Sequence, residues 1–195
     1  GKQDDNFYAY SLSLDIFSKI SSTSNIIASS MEEVEALMVN NNSKEISRKL
    51  NSRYCLSGSL WKKDKFFNLS LELFDHNNNK IIWADSWLEK WENLANIESV
   101  ISGNLIKILD NSSANIDNEN SSDIADSGAY RIYLKGKYIY YNRQSNKDVL
   151  KSKRLFNESI SIDKKLIPPR MLLGEIFYQK GKYDQALKIF KDNLK

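Results

Sequence analysis

A chain of 195 residues suits one ordinary domain or two small ones, and either is long enough to bury a core. With 41% hydrophobic and 27% charged residues it is globular rather than disordered in composition. A formal charge of +3, with acids and bases interspersed, demands neither nucleic acid nor an anionic membrane as partner, and no window approaches the ~18 apolar residues of a bilayer span. The single cysteine, Cys55, excludes an internal disulfide and offers no support for secretion, which points to the cytoplasm. The opening Gly1-Lys2-Gln3 carries neither a methionine nor a signal-peptide pattern and reads as cut from something longer.

Phe7, Tyr10, Leu14 and Phe17 recur at three- and four-residue steps, which predicts a helix ending near Ser21-Ser22. Asn25 to Ala28 is a short apolar run and reads as a buried strand. Asn42 followed by Glu45 has the form of an N-cap with its capping-box partner, and Ile46 and Leu50 supply the stripe of a short helix. From Tyr54 to Leu88 the period changes to two: Phe67, Leu69, Leu71 and Leu73 point one way, Asn68, Ser70 and Glu72 the other. Polar breaks at Lys62 to Lys65 and His76 to Lys80 divide this stretch into three strands, roughly 54–61, 66–75 and 80–87. Leu94, Ile97, Ile101, Leu105 and Ile108 then mark another helix. Residues 1–109 are thus expected to form a two-layer α+β domain, a small antiparallel or mixed sheet with helices on one face. Residues 110–127 have almost nothing to bury and no period, so they read as a flexible linker.

Beyond it, residues 128–195 look all-helical, with helices near 128–142, 147–162, 168–180 and 183–194 forming two hairpins. Phe156 and Phe190 stand 34 residues apart, a period at which helical repeats recur. The second hairpin carries Leu173-Gly174, Phe177-Tyr178, Gly181-Lys182-Tyr183, Ala186 and Phe190; the first carries Ala129-Tyr130, Gly136 and Phe156. This region resembles tetratricopeptide repeats, with small positions at Gly136, Gly174 and Ala186 and large ones at Phe156, Tyr178 and Phe190. It departs from the pattern in about four extra residues around Asn142 to Lys147 and in Ser152, where alanine is usual. The first half has a second resemblance. Ile46 to Leu50 through Arg53 to Leu60, then Leu69 to Asp75 and Ile82 to Trp87, are similar to a TolB-N-terminal-like domain. Such pairs typically lie C-terminal to an effector, most often a class III adenylate or guanylate cyclase domain, sometimes a winged-helix DNA-binding domain. TolB-like domains and repeats also occur in envelope assemblies. The resemblance therefore implies a non-catalytic regulatory region of a bacterial signalling protein, with a scaffold role in an envelope assembly as the alternative.

The residues themselves offer little chemistry. His76 is the only histidine, so a histidine triad or multi-histidine metal site is impossible within one chain, and a solvated turn is expected for it. Cys55 falls in a strand and reads as a buried small hydrophobe. Ser57-Gly58-Ser59 is too short for a phosphate loop, and its glycine marks a bulge or close packing. Ser161-Ile162-Asp163-Lys164 fits a Ser-x-x-Lys pattern without its companion motifs. Glu32, Glu33 and Glu35 suit a solvated face or a first helical turn. Lys62, Lys63 and Lys65 beside Trp61, Phe66 and Phe67 form a basic hairpin tip, but no second basic strand builds a groove for nucleic acid. No catalytic residue, metal ligand or cofactor is expected. The candidate partner-binding residues are aromatic: Trp83, Trp87 and Trp91 at four-residue steps, either a cover over the sheet or a binding surface, and Tyr140 and Tyr141 beside the insertion, expected to be exposed. The helical repeats are expected to bind a protein partner or to self-associate. Two repeats are few for a stable stack, and nothing covers residues 183–194, so the protein is expected to continue past Lys195.

Overall fold

The computed structural model describes residues 6–23, 25–110 and 125–193. Among them it is α+β, a three-stranded antiparallel sheet plus eight helices. The helices are α1 (Asn6–Ser21), α2 (Met31–Met38), α3 (Ser43–Lys49), α4 (Leu94–Leu109), α5 (Ser127–Tyr141), α6 (Asn146–Ile162), α7 (Ile167–Gln179) and α8 (Tyr183–Asp192). The strands are β1 (Tyr54–Lys63), β2 (Phe66–Asp75) and β3 (Lys80–Lys90), and a single 3₁₀ turn spans Trp91–Asn93.

Contacts divide the chain into two units. One comprises residues 1–13, 92–100 and 114–195, the other residues 14–91 and 101–113. The division differs from a boundary confined to 110–127, because the start of α1 packs within the helical unit. Ser11 Oγ, fully buried, donates to Leu134 O at 2.8 Å, and Tyr10 meets Tyr138 edge to face. Most of the expected linker, residues 111–124, lies outside the described residues.

In the sheet unit the strand order is β1-β2-β3. Leu56, Leu73 and Trp83 lie in one register row, and Leu60, Leu69 and Trp87 in another. Alternation puts Phe67, Leu69, Leu73 and Asp75 on the buried face, as the period of two requires. Both hairpins close more tightly than the sequence breaks suggest. Lys63 pairs with Phe66 across a two-residue loop in which Asp64 adopts φ 54°. Asp75 pairs with Lys80 across four residues ending in Asn79 at φ 49°. The Asp75 carboxylate organises that second turn: it accepts from the Asn77 and Asn78 backbone N–H groups and from Asn78 Nδ2 at 2.9, 3.2 and 2.8 Å. Arg53 completes the arrangement with Nη2 at 2.9 Å, holding the carboxyl well below the usual carboxylate range.

One local expectation needs correction, and one helix was not anticipated. Asn25 to Ala28 is not a strand: it lies in a turn and an irregular stretch, Ile26 N–H donates to Thr23 O, and Ile27 is fully exposed. A short β-branched run gains nothing as a strand unless a sheet edge accepts it, and the sheet here uses none of these residues. The next residues form α2, which the apolar pattern did not announce. Its start was written in Ser30-Met31-Glu32-Glu33. Ser30 Oγ accepts from the Glu33 N–H, and Glu33 Oε2 accepts from the Ser30 N–H at 3.0 Å. Glu32 and Glu33 sit in that first turn, where the helix dipole favours acids. The Asn42–Glu45 box opens α3 in the same way.

In the helical unit, Asp126 caps α5, Ser145 and Asp148 box the start of α6, and Pro168-Pro169 stand in the first turn of α7, where a missing N–H costs nothing. Gly181 at φ 70° ends α7, with the Lys182 N–H returning to Phe177 O at 2.9 Å. α5 packs on α6 and α7 on α8, and α7 also packs against both α5 and α6.

Candidate functional site

Each hairpin is closed by the same contact. A Cβ added at Gly136 on α5 would stand 2.8 and 2.9 Å from the Phe156 ring on α6, so only glycine lets the helices meet there. Gly174 on α7 has the same relation to Phe190 on α8, closer still. Ser152, buried in α6, and Ala186, buried in α8, occupy equivalent places four residues before each ring. The two glycines are 38 residues apart and the two rings 34, so the difference falls on the extra residues between α5 and α6.

These offsets match positions on α5 to positions on α7, and positions on α6 to positions on α8. On α5, Ala129, Tyr133 and Tyr140 are at most 2% exposed. Their counterparts on α7 are Ile167, Met171 and Tyr178, exposed by 50%, 45% and 60%. On α6, Val149 and Lys153 are half-buried; on α8 their counterparts Tyr183 and Leu187 are 62% and 51% exposed. The contacts of α7 explain part of the contrast. The Tyr140 hydroxyl donates to Glu175 Oε1 at 3.0 Å, and the Lys153 ammonium stands 4.4 Å over the Phe177 ring. Burial first, and Glu175 second, push the Tyr140 phenol far above its ordinary pKa; burial, then Lys180 and Lys182, lowers that of Lys153.

Of the five exposed side chains, three lie on α7 and two on α8. Ile167, Met171 and Tyr178 follow helical spacing along α7, Tyr183 and Leu187 along α8. The Tyr178 and Tyr183 rings meet edge to face with centroids 5.4 Å apart, and Asn193 Nδ2 donates to Met171 Sδ at 3.5 Å. Among these five, the repeat resemblance named Tyr178, as a repeat position, and Tyr183 within Gly181-Lys182-Tyr183. The signal for the rest was the offset between hairpins, read together with which positions the first hairpin buries.

The other expected site residues are placed differently. Trp83 and Trp87 are half-buried on the face of Leu69 and Leu73, with ring centroids 6.2 Å apart. Trp91 is 5% exposed, packs on Phe67 at 5.3 Å and lies under the Lys62 ammonium. Tyr141 is exposed as expected. Tyr140 is not: at 1% exposure it lies in the core, because α7 closes over it. His76 is not simply solvated either. Its ring packs edge to face on Phe74 at 4.8 Å, and Nε2 is buried without a hydrogen-bond partner among the described residues. Cys55 is half-buried, and burial raises its thiol pKa, the opposite of what a reactive thiol requires. Gly58 stands against Leu71 and the Ser70 carbonyl, so it marks close packing. Among the described residues no group of three or more His, Cys, Asp and Glu side chains could hold a metal ion, and no helix is long and apolar enough to cross a membrane.

No protein-family model matches the chain, and no curated protein matches it.

Proposed function

We propose that this chain is a non-catalytic interaction region whose helical hairpins, tetratricopeptide-like in their glycine–aromatic pairing, dock a protein through the α7–α8 face. The observation that carries this reading is the exposure of Ile167, Met171, Tyr178, Tyr183 and Leu187 at positions equivalent to buried or half-buried ones on α5 and α6. Exposed apolar side chains at positions that the first hairpin covers with a helix support docking of a helix there. The resemblance to TolB-N-terminal-like and tetratricopeptide pairs supports a regulatory role in a cytoplasmic bacterial signalling protein, beside an effector such as a nucleotide cyclase. The absence of a second histidine anywhere in the chain and the raised thiol pKa of Cys55 support a non-catalytic reading.

The test is capture by the intact chain from an extract of its own cells, with Met171→Lys and Leu187→Lys as controls. A partner retained by the unaltered chain and lost by both variants is the expected result. Equal capture by all three would refute docking on this face, and turnover of nucleotide substrates by the purified chain would refute the non-catalytic reading.

A further inference from the structure

We propose that the α7–α8 face receives the segment Ile27–Val39 of a second copy of this chain, so that two copies exchange α2 reciprocally. The proposal rests on the reading of that face as a docking surface and names its occupant.

The first hairpin shows what such a face accepts. Tyr140 and Lys153 are covered by an α-helix, and their counterparts Tyr178 and Leu187 present the same sites with apolar side chains. The occupant is therefore a helix with an apolar stripe. α2 is one: Met31, Val34 and Met38 follow three- and four-residue spacing, and its capping box holds the helix start. No residue of α2 is buried. Met31, Val34 and Leu37 are half-buried, whereas Met38 at the end of the helix is 62% exposed and the flanking Val39 and Ile27 are 80% and fully exposed, so part of the segment's apolar transfer free energy is unrealised in the single chain.

Charge favours the same pairing. Residues 25–41 carry Glu32, Glu33 and Glu35 and no base. α7, α8 and their turn carry Arg170, Lys180, Lys182, Lys188 and Lys191 against Glu175, Asp184 and Asp192. Placing α7–α8 against its own copy would bring together two segments in which bases outnumber acids, whereas α2 brings acids to bases. A contact between two different patches closes on itself in a pair only when it is made twice, which a reciprocal dimer provides.

Sedimentation equilibrium of the full chain tests this. The unaltered chain is expected to dimerise at micromolar concentration, and Met38→Lys and Leu187→Lys are each expected to weaken the dimer at least about tenfold, as loss of a central apolar anchor does. Mixing the two variants is expected to restore association in part, because the pair retains one intact α2–face contact. Glu32→Lys with Glu35→Lys alters only exposed side chains, so it cannot act by unfolding a core, and it is expected to weaken the dimer with a reduced salt dependence. A chain that stays monomeric overturns the proposal. So does a dimer that Leu187→Lys disrupts while Met38→Lys and the charge reversals do not, an outcome that leaves the α7–α8 docking surface standing. Dimerisation indifferent to Leu187→Lys, together with unchanged capture by that variant, overturns both readings.

Discussion

Gly136 and Phe156 are in contact across the α5–α6 pair so closely that a single methyl group on Gly136 would enter the space of the aromatic ring. Gly174 and Phe190 repeat the relation across α7 and α8. Two instances of one contact in a chain of this length explain why the helical half is built of hairpins: each glycine brings two helix axes together, and each ring fills the space beside it.

Gly136→Ala is accordingly expected to destabilise the chain by about 1–3 kcal/mol, the usual consequence of overpacking. For a chain of this size that corresponds to a fall in Tm of about 2–4 °C per kcal/mol. Gly103→Ala in α4 is the control. Nothing stands within 4 Å of the added methyl there, so it is expected to be neutral or to stabilise by up to about 1 kcal/mol. Combining Gly136→Ala with Phe156→Leu should cost less than the sum of the two changes, measured by a double-mutant cycle in urea.

Asp75 sets the response to acid. Its folded-state pKa is lowered, chiefly by the Arg53 guanidinium, with the Asn77 and Asn78 donors adding to the effect against the opposing cost of burial. A lowered carboxylate pKa contributes stability that is fully present above the unfolded value of about 3.9 and is lost as pH falls through the folded value. Asp75→Asn is expected to be less stable than the unaltered chain at pH 7, with the gap narrowing below about pH 4. Urea titrations followed by circular dichroism at both pH values check this, and a gap that stays constant would contradict it.

Tyr140 acts at the other end of the scale. Its raised pKa, caused first by burial and then by Glu175, means that the phenol is bound more tightly by the folded state in its neutral form. The corresponding stability is complete below the unfolded value of about 10 and declines as pH rises above it. Tyr140→Phe removes the hydrogen bond to the Glu175 carboxylate and is expected to cost about 1.5–3 kcal/mol at neutral pH. Its stability should decline less above pH 10 than that of the unaltered chain, read from melting curves.

Ser30→Ala tests how independent α2 is. Losing the cap is expected to cost the helix about 1 kcal/mol. Because α2 buries none of its residues, the loss is expected to appear as faster amide exchange over residues 31–38, with little change in the global Tm of the isolated chain.

Much of the architecture was legible in the residues. The alternation of Phe67, Leu69, Leu71 and Leu73 set the sheet face, and the capping pair Asn42 and Glu45 placed α3. Repetition of Phe156 and Phe190 at 34 residues, with Gly136 and Gly174, marked two hairpins of one kind. These signals are local: a period, a cap or a small residue beside a large one is decided within a turn or two of chain.

Whether a side chain ends up covered is not local, and there the residues alone misled. Tyr140 and Tyr178 occupy equivalent places and are the same amino acid, yet one is in the core and the other on the surface. Ile27 lies in the most strand-like run of the first forty residues and pairs with nothing. The sequence by itself determined most of the elements, though neither the loss of a strand at Asn25 to Ala28 nor α2, and it marked the glycine and phenylalanine positions through which the helices pair. Only the tertiary structure decided which apolar faces find a partner within the chain: burial depends on what the rest of the chain places opposite a residue, and α7 lies against α5 and α6 while no described helix lies in the equivalent place on α7 and α8.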